Sequence, residues 1–175
     1  PLPAVFSLAL YSLSFLLILR LLDLIPSGRN LLAGCLFLGS VGIVCQMSFG
    51  YMAITFAVSF FLSVLAVWVL LAPVTSSAIL RILLPALCIA FMMGSYQAGI
   101  GTTALLMLFV LLYSIAAEGG TESAKPAFLP AGARERLRFF IRAFCSVALG
   151  GILYVLLLKL RLWMTGTPAS DYQGF

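Results

Sequence analysis

Charge is what this chain has least of. Only 9% of its 175 residues are charged, whereas an ordinary soluble domain carries about 25% to keep its surface wet. That shortage excludes a water-soluble globular fold. Histidine is absent altogether, and the four cysteines, Cys35, Cys45, Cys88 and Cys145, sit singly inside apolar runs with no CxxC spacing. A zinc centre of cysteine or mixed type is therefore excluded, and the thiols pack as small hydrophobes. Nucleotide-binding glycine loops, nucleophile elbows and paired carboxylates are missing too, which removes the usual soluble-enzyme chemistries.

Apolar sequence takes the place of all this. Hydrophobic residues make up 63% of the chain, in runs long enough to cross the ~30 Å hydrocarbon core of a bilayer, which takes about 20 helical residues. Such runs recur along the whole length, so they are not one signal sequence at the front. The expected fold is all-α: residues 1–175 form a single polytopic membrane bundle of about six transmembrane helices, arranged as hairpins with short turns.

The first span covers residues 3–22, with Arg20 and Asp23 one turn apart at its end. Pro26-Ser27-Gly28-Arg29-Asn30 is a loop signal. The apolar tract at 31–71 is twice too long for one crossing and reverses at its only polar break, Gln46-Met47-Ser48-Phe49-Gly50. That gives spans at 31–45 and 51–72. The former carries Gly34, Gly39, Ser40 and Gly42, which let helix backbones approach closely in a bilayer, so it is expected to be buried among its neighbours.

The tract at 79–117 is also too long for one crossing. It breaks at Gly94-Ser95-Tyr96-Gln97-Ala98-Gly99, giving spans at 79–93 and 100–117. A basic loop and the start of an interfacial helix occupy 118–138. There Arg134, Arg138 and Arg142 recur every fourth residue on one helical face. Anionic headgroups attract such a face by about 1 kcal/mol per cation. The sixth span, 139–158, ends at Lys159 and Arg161.

Six crossings put Arg20, Arg29, Arg81, Lys125, Arg134, Arg136, Arg138 and Arg142 on one side and only Lys159 and Arg161 on the other. Eight against two is a positive-inside bias. The 118–138 loop is then cytoplasmic, and the turns at Ser48 and Tyr96 face the outside, which in a bacterial inner membrane is the periplasm. The same bias accounts for the net charge of +5 without nucleic acid as a partner.

Polar chemistry on the outer side reduces to Gln46, Ser48 and Tyr51 at one turn, Ser95, Tyr96 and Gln97 at the next, and Lys159, Arg161, Asp171, Tyr172 and Gln173 beyond. Each has a plain alternative. Tyr51, Tyr96 and Trp163 can serve as interfacial aromatics, and Lys159 and Arg161 as snorkelling anchors. Tyr96-Gln97 stands out because a turn needs only its flanking glycines, not two hydrogen-bonding side chains. Lys159 and Arg161 could neutralise a lipid-phosphate leaving group. Asp171 is the sole outer carboxylate, in a position where a solvated loop acid is the simpler reading.

Gly-Ser-Tyr-Gln-Ala at 94–98, followed by a span, a basic loop and Leu-Tyr-Val-Leu-Leu-Leu-Lys at 153–159, resembles the type II serotype-converting glucosyltransferases that modify bacterial O-antigen. Met47-Ser48-Phe49-Gly50-Tyr51-Met52 and Asp171-Tyr172-Gln173-Gly174 sit where that family has similar turns. The resemblance implies a membrane glycosyltransferase of the C-type class. Such an enzyme moves a hexose, commonly glucose, from a polyprenyl-phosphate sugar to a periplasmic glycan acceptor, with membrane lipids around it. Within the outer polar set, Ser95, Tyr96, Gln97, Lys159, Arg161, Asp171 and Tyr172 are the candidate substrate-binding residues for such an enzyme. No cofactor is expected, and a divalent-metal requirement stays open.

Enzymes of this kind carry acidic residues in their first outer loop, and none precedes Asp23 here. The chain is accordingly expected to be part of a longer protein whose catalytic acid lies outside it. Two readings compete with the transferase: a transporter or flippase for a lipid-linked or small polar substrate, and a non-enzymatic membrane subunit. Transporters place their broken helices near the bilayer midplane, whereas the breaks read from this sequence fall at span ends.

Overall fold

The structure is a computed structural model and describes residues 2–22, 28–40, 42–44, 52–72, 77–97, 99–118 and 129–166. Every regular element among them is a helix: α1 (Leu2–Leu21), α2 (Gly28–Leu38), α3 (Ala53–Leu71), α4 (Leu80–Ser95), α5 (Gly99–Glu118) and α6 (Gly132–Thr165). Four of these, α1, α3, α5 and α6, are long and apolar enough to cross a membrane. The multi-span helical class expected from composition is the one observed.

Side-chain pairings fix the direction of each pass. Tyr11 of α1 meets Phe60 of α3 at 5.6 Å between ring centroids, and Leu21 shares a core cluster with Ala66, Val67 and Leu70, so α1 and α3 run parallel. A parallel neighbour requires an intervening return, and residues 28–44 supply it. Phe37 stacks on Phe15 at 5.5 Å, and further along Ile43 joins the cluster of Tyr11 and Ala57.

That return differs from the single helix expected over 31–45. Helix α2 ends at Leu38, the chain turns at Gly39-Ser40, and helix resumes at 42–44. Glycine is about 1 kcal/mol poorer than alanine inside a helix, and Gly39 and Gly42 fall within four residues of each other. The segment is also not buried among its neighbours. Leu31, Leu32 and Leu36 are each more than half exposed, and nothing lies within 4 Å of a carbon added at Gly42. Only Gly34 makes the close approach expected of a small residue, against the ring of Phe15.

Helix α3 is the centre of the bundle, packed against α1, α4 and α5. Small residues on it face both sides: Ala57, Ser59, Ser63 and Ala66 are all buried. Their hydroxyls bind locally and across. The Ser63 hydroxyl bonds to the Ser59 carbonyl at 2.8 Å and to the Gly99 carbonyl of α5 at 3.2 Å. A serine hydroxyl buried in a bilayer has no water to turn to, so it bonds to backbone carbonyls that also take part in the helix ladder.

Helices α4 and α6 pack in parallel. Ser146 donates to the Ile82 carbonyl at 3.2 Å, beside the point where Pro85 interrupts the α4 hydrogen-bond ladder. One turn on, Gly150 meets Ala86 and Ile89. Helix α6, at 34 residues, is about 51 Å long and exceeds the hydrocarbon core. The basic stretch and the span behind it are thus one continuous rod, whose first turn is closed by the Glu135 carboxylate accepting from the Ala131 amide at 2.7 Å.

Two rims result. One collects the ends near Val44, Met52, Tyr96 and Thr165, and the other those near Leu21, Leu80 and Ala131. Arg20, Arg81 and the α6 arginines from Arg134 to Arg142 lie toward the second rim, and Lys159 and Arg161 toward the first. The turn at Ser48, with Gln46 and Tyr51, and residues 119–128 of the 118–138 loop lie outside the described residues.

Candidate functional site

The expected break in the 79–117 tract is present. Helix α4 stops at Ser95; Tyr96 is extended at φ −159° and ψ 112°. The Gly99 amide then bonds back to the Tyr96 carbonyl at 3.0 Å as α5 begins. A side chain at Gly99 would run into Ser59 and Met92, so glycine is what allows the turn to settle against α3. The Ser59 hydroxyl bonds to the Tyr96 carbonyl at 3.2 Å, tying the turn to the central helix.

Tyr96 and Gln97, adjacent in sequence, part company in space. The Tyr96 ring stands edge-on against Phe56 of α3 at 4.6 Å. Gln97 reaches the other way, and its Nε2 donates to the Tyr154 hydroxyl of α6 at 2.8 Å. Beneath that bond a cavity of about 290 Å³ opens between α4 and α6. Phe91, Gly94 and Ser95 line it from one side and Tyr154, Leu157 and Arg161 from the other. Positions 154, 157, 158 and 161 share one face of a helix, which is why one side of α6 delivers all of them.

The cavity thus brings together Ser95 and Arg161, with Gln97 at its edge through Tyr154. Ser95 points its hydroxyl back to the Phe91 carbonyl at 3.0 Å, which leaves its oxygen lone pairs as the groups it can offer. Tyr96 is drawn to α3. Lys159 is exposed and is not among the residues lining the cavity, since two residues along a helix is about 200° around it. Asp171 and Tyr172 lie outside the described residues.

Tyr154, which sequence reasoning quoted only as part of a longer run, is the polar cavity residue that it did not single out; the apolar Ala90, Phe91, Leu157 and Leu158 were not singled out either. The signal for Tyr154 was its spacing: it is the one hydroxyl-bearing side chain between Ser146 and Thr165 and lies two turns before Arg161. A guanidinium, two hydroxyls and an apolar floor suit a molecule with an anionic head and a hydrocarbon body. A second groove of about 240 Å³, between α5 and α6, is lined only by apolar side chains such as Met107, Leu111, Phe140 and Phe144.

No curated protein and no solved structure matches the chain. A family model does: that of glucosyl transferase GtrII, over residues 1–175. Because this match runs through every helix described above, the chain belongs to the glucosyl transferase GtrII family.

Proposed function

We propose that the cavity between α4 and α6 holds the donor of a hexosyl transfer. The donor is glucose on a polyprenyl phosphate, and the acceptor is a periplasmic glycan such as O-antigen. The observation that carries this reading is the meeting of Ser95 and Arg161 in one cavity with an apolar floor. Membership of a glucosyl transferase family supports the reaction class, and the apolar lining supports a lipid-borne donor over a soluble nucleotide sugar.

In this reading the bond between the sugar's anomeric carbon and the phosphate oxygen breaks as an acceptor hydroxyl adds to that carbon. The electron pair stays with the phosphate, and the proton of the acceptor hydroxyl is lost to solvent base. Arg161, always cationic, is placed to stabilise the charge that develops there. The distribution of cations supports an outward-facing site. Among the described residues the rim holding Arg161 carries only Lys159 and Arg161, and the positive-inside rule favours the periplasm for it.

Filling the cavity tests the proposal. Gly94 lines it, and a carbon added at Gly94 meets nothing within 4 Å. In the full-length protein Gly94→Leu is expected to lower sugar transfer at least tenfold while leaving the unfolding temperature in detergent unchanged. Full transfer by that variant would place the donor elsewhere.

A further inference from the structure

We infer that Tyr154 is a phosphate-binding residue of this cavity and that Gln97 acts on the substrate only through it, as a positioning residue. The inference rests on the donor reading given above. It changes the role expected of Gln97, which is no longer a direct contact to the sugar.

A phenol oxygen carries one proton and accepts through its lone pairs. The Gln97 amide occupies an acceptor site on the Tyr154 oxygen at 2.8 Å. The Tyr154 proton is thereby left for another acceptor, and the ring that bears it lines the cavity together with Arg161. An amide donating into a hydroxyl also polarises it, so its own donation to a third group is strengthened. The acceptor that best completes this chain, one helical face from a guanidinium, is an anionic oxygen. A hydroxyl donor and an arginine seven residues apart can take two oxygens of one phosphate at the end of a lipid.

Neither the α4 scaffold nor the turn requires this bond. The turn is held by backbone bonds at Tyr96 and Gly99 and by Ser59 and Ser63 of α3. The α4/α6 contact is made by Ser146 and Gly150. Gln97 and Tyr154 meet at the exposed end of that contact, where a purely structural bond adds least.

The test measures binding of polyprenyl phosphate, uncharged polyprenol and phosphatidic acid to the full-length protein in nanodiscs. Tyr154→Phe is expected to weaken polyprenyl phosphate binding about tenfold, the loss of a charge-assisted hydrogen bond, and to leave polyprenol binding and the unfolding temperature as they were. Gln97→Ala is expected to cause a smaller loss of the same kind and to add nothing to Tyr154→Phe. Unchanged phosphate binding by Tyr154→Phe, with a large loss for Arg161→Ala, overturns the role of Tyr154 and leaves the donor site standing. Unchanged binding in both variants removes the donor site as well. Displacement of polyprenyl phosphate by an equal amount of phosphatidic acid would overturn the assignment to the donor.

Discussion

Gly150 of α6 lies so close to Ala86 of α4 that a first side-chain carbon built there falls 2.9 Å from the Ala86 carbonyl oxygen. Such contacts are how helices associate in a bilayer, where lipid tails are as apolar as leucine and burial alone gives little drive. This one sits one to two turns below the cavity and sets the separation of its two walls.

Replacing Gly150 by alanine therefore forces backbone against backbone. The expected cost is about 1–3 kcal/mol, the range for overpacking a close contact, read as a lower unfolding midpoint in detergent. Gly151 is the control, since a carbon added there meets nothing within 4 Å. Gly151→Ala is expected to be neutral or stabilising by up to about 1 kcal/mol through helix propensity. Equal effects at the two positions would show that α4 and α6 do not touch as described.

The two outer cations should behave differently although only Leu160 separates them. Both are exposed, but Arg161 lines the cavity and Lys159 does not. Arg161→Ala is expected to lower donor affinity roughly tenfold to a hundredfold, as loss of a hydrogen-bonded charge does. Lys159→Ala should change it less than twofold. Sugar transfer measured against donor concentration in the full-length protein separates them, and equal losses would favour a diffuse anchoring role for both.

How much of this was legible in the sequence depends on what each residue was competing with. The break at Tyr96 was readable because Gly94, Gln97 and Gly99 interrupt a tract that is otherwise apolar, and no packing can hide unpaired polar groups at a span end. The interruption at Gly39-Ser40 was misread as a packing face. Small residues signal both close approach and weak helix, and only the neighbours decide. Gly34 has Phe15 above it, while Gly42 has nothing. The site was half legible for a similar reason. Residue type marked Ser95, Gln97 and Arg161 as polar groups at one rim. Tyr96 and Lys159 carried the same marks, and their separation from the cavity follows from which way α3 and α6 present their faces. Tyr154 looked like one more residue of an apolar span until Gln97 was found bonded to it.

Orientation can be decided on one helix alone. Ala133 and Thr165 lie near the two ends of α6, about 48 Å apart along its axis, further than the ~30 Å core is thick. With α6 crossing the bilayer, they reach water on opposite sides, whatever the tilt of the rest. With Cys35, Cys45, Cys88 and Cys145 replaced by serine or alanine, Thr165→Cys is expected to react with an impermeant maleimide in intact spheroplasts. Ala133→Cys should react only after the membrane is opened. The reverse pattern would put the arginines of α6 outside, against the usual charge bias, and would turn the Ser95 and Arg161 cavity toward the cytoplasm, where a periplasmic glycan could not reach it. Labelling of both from one side would mean that α6 does not span, and the two rims would lose their meaning.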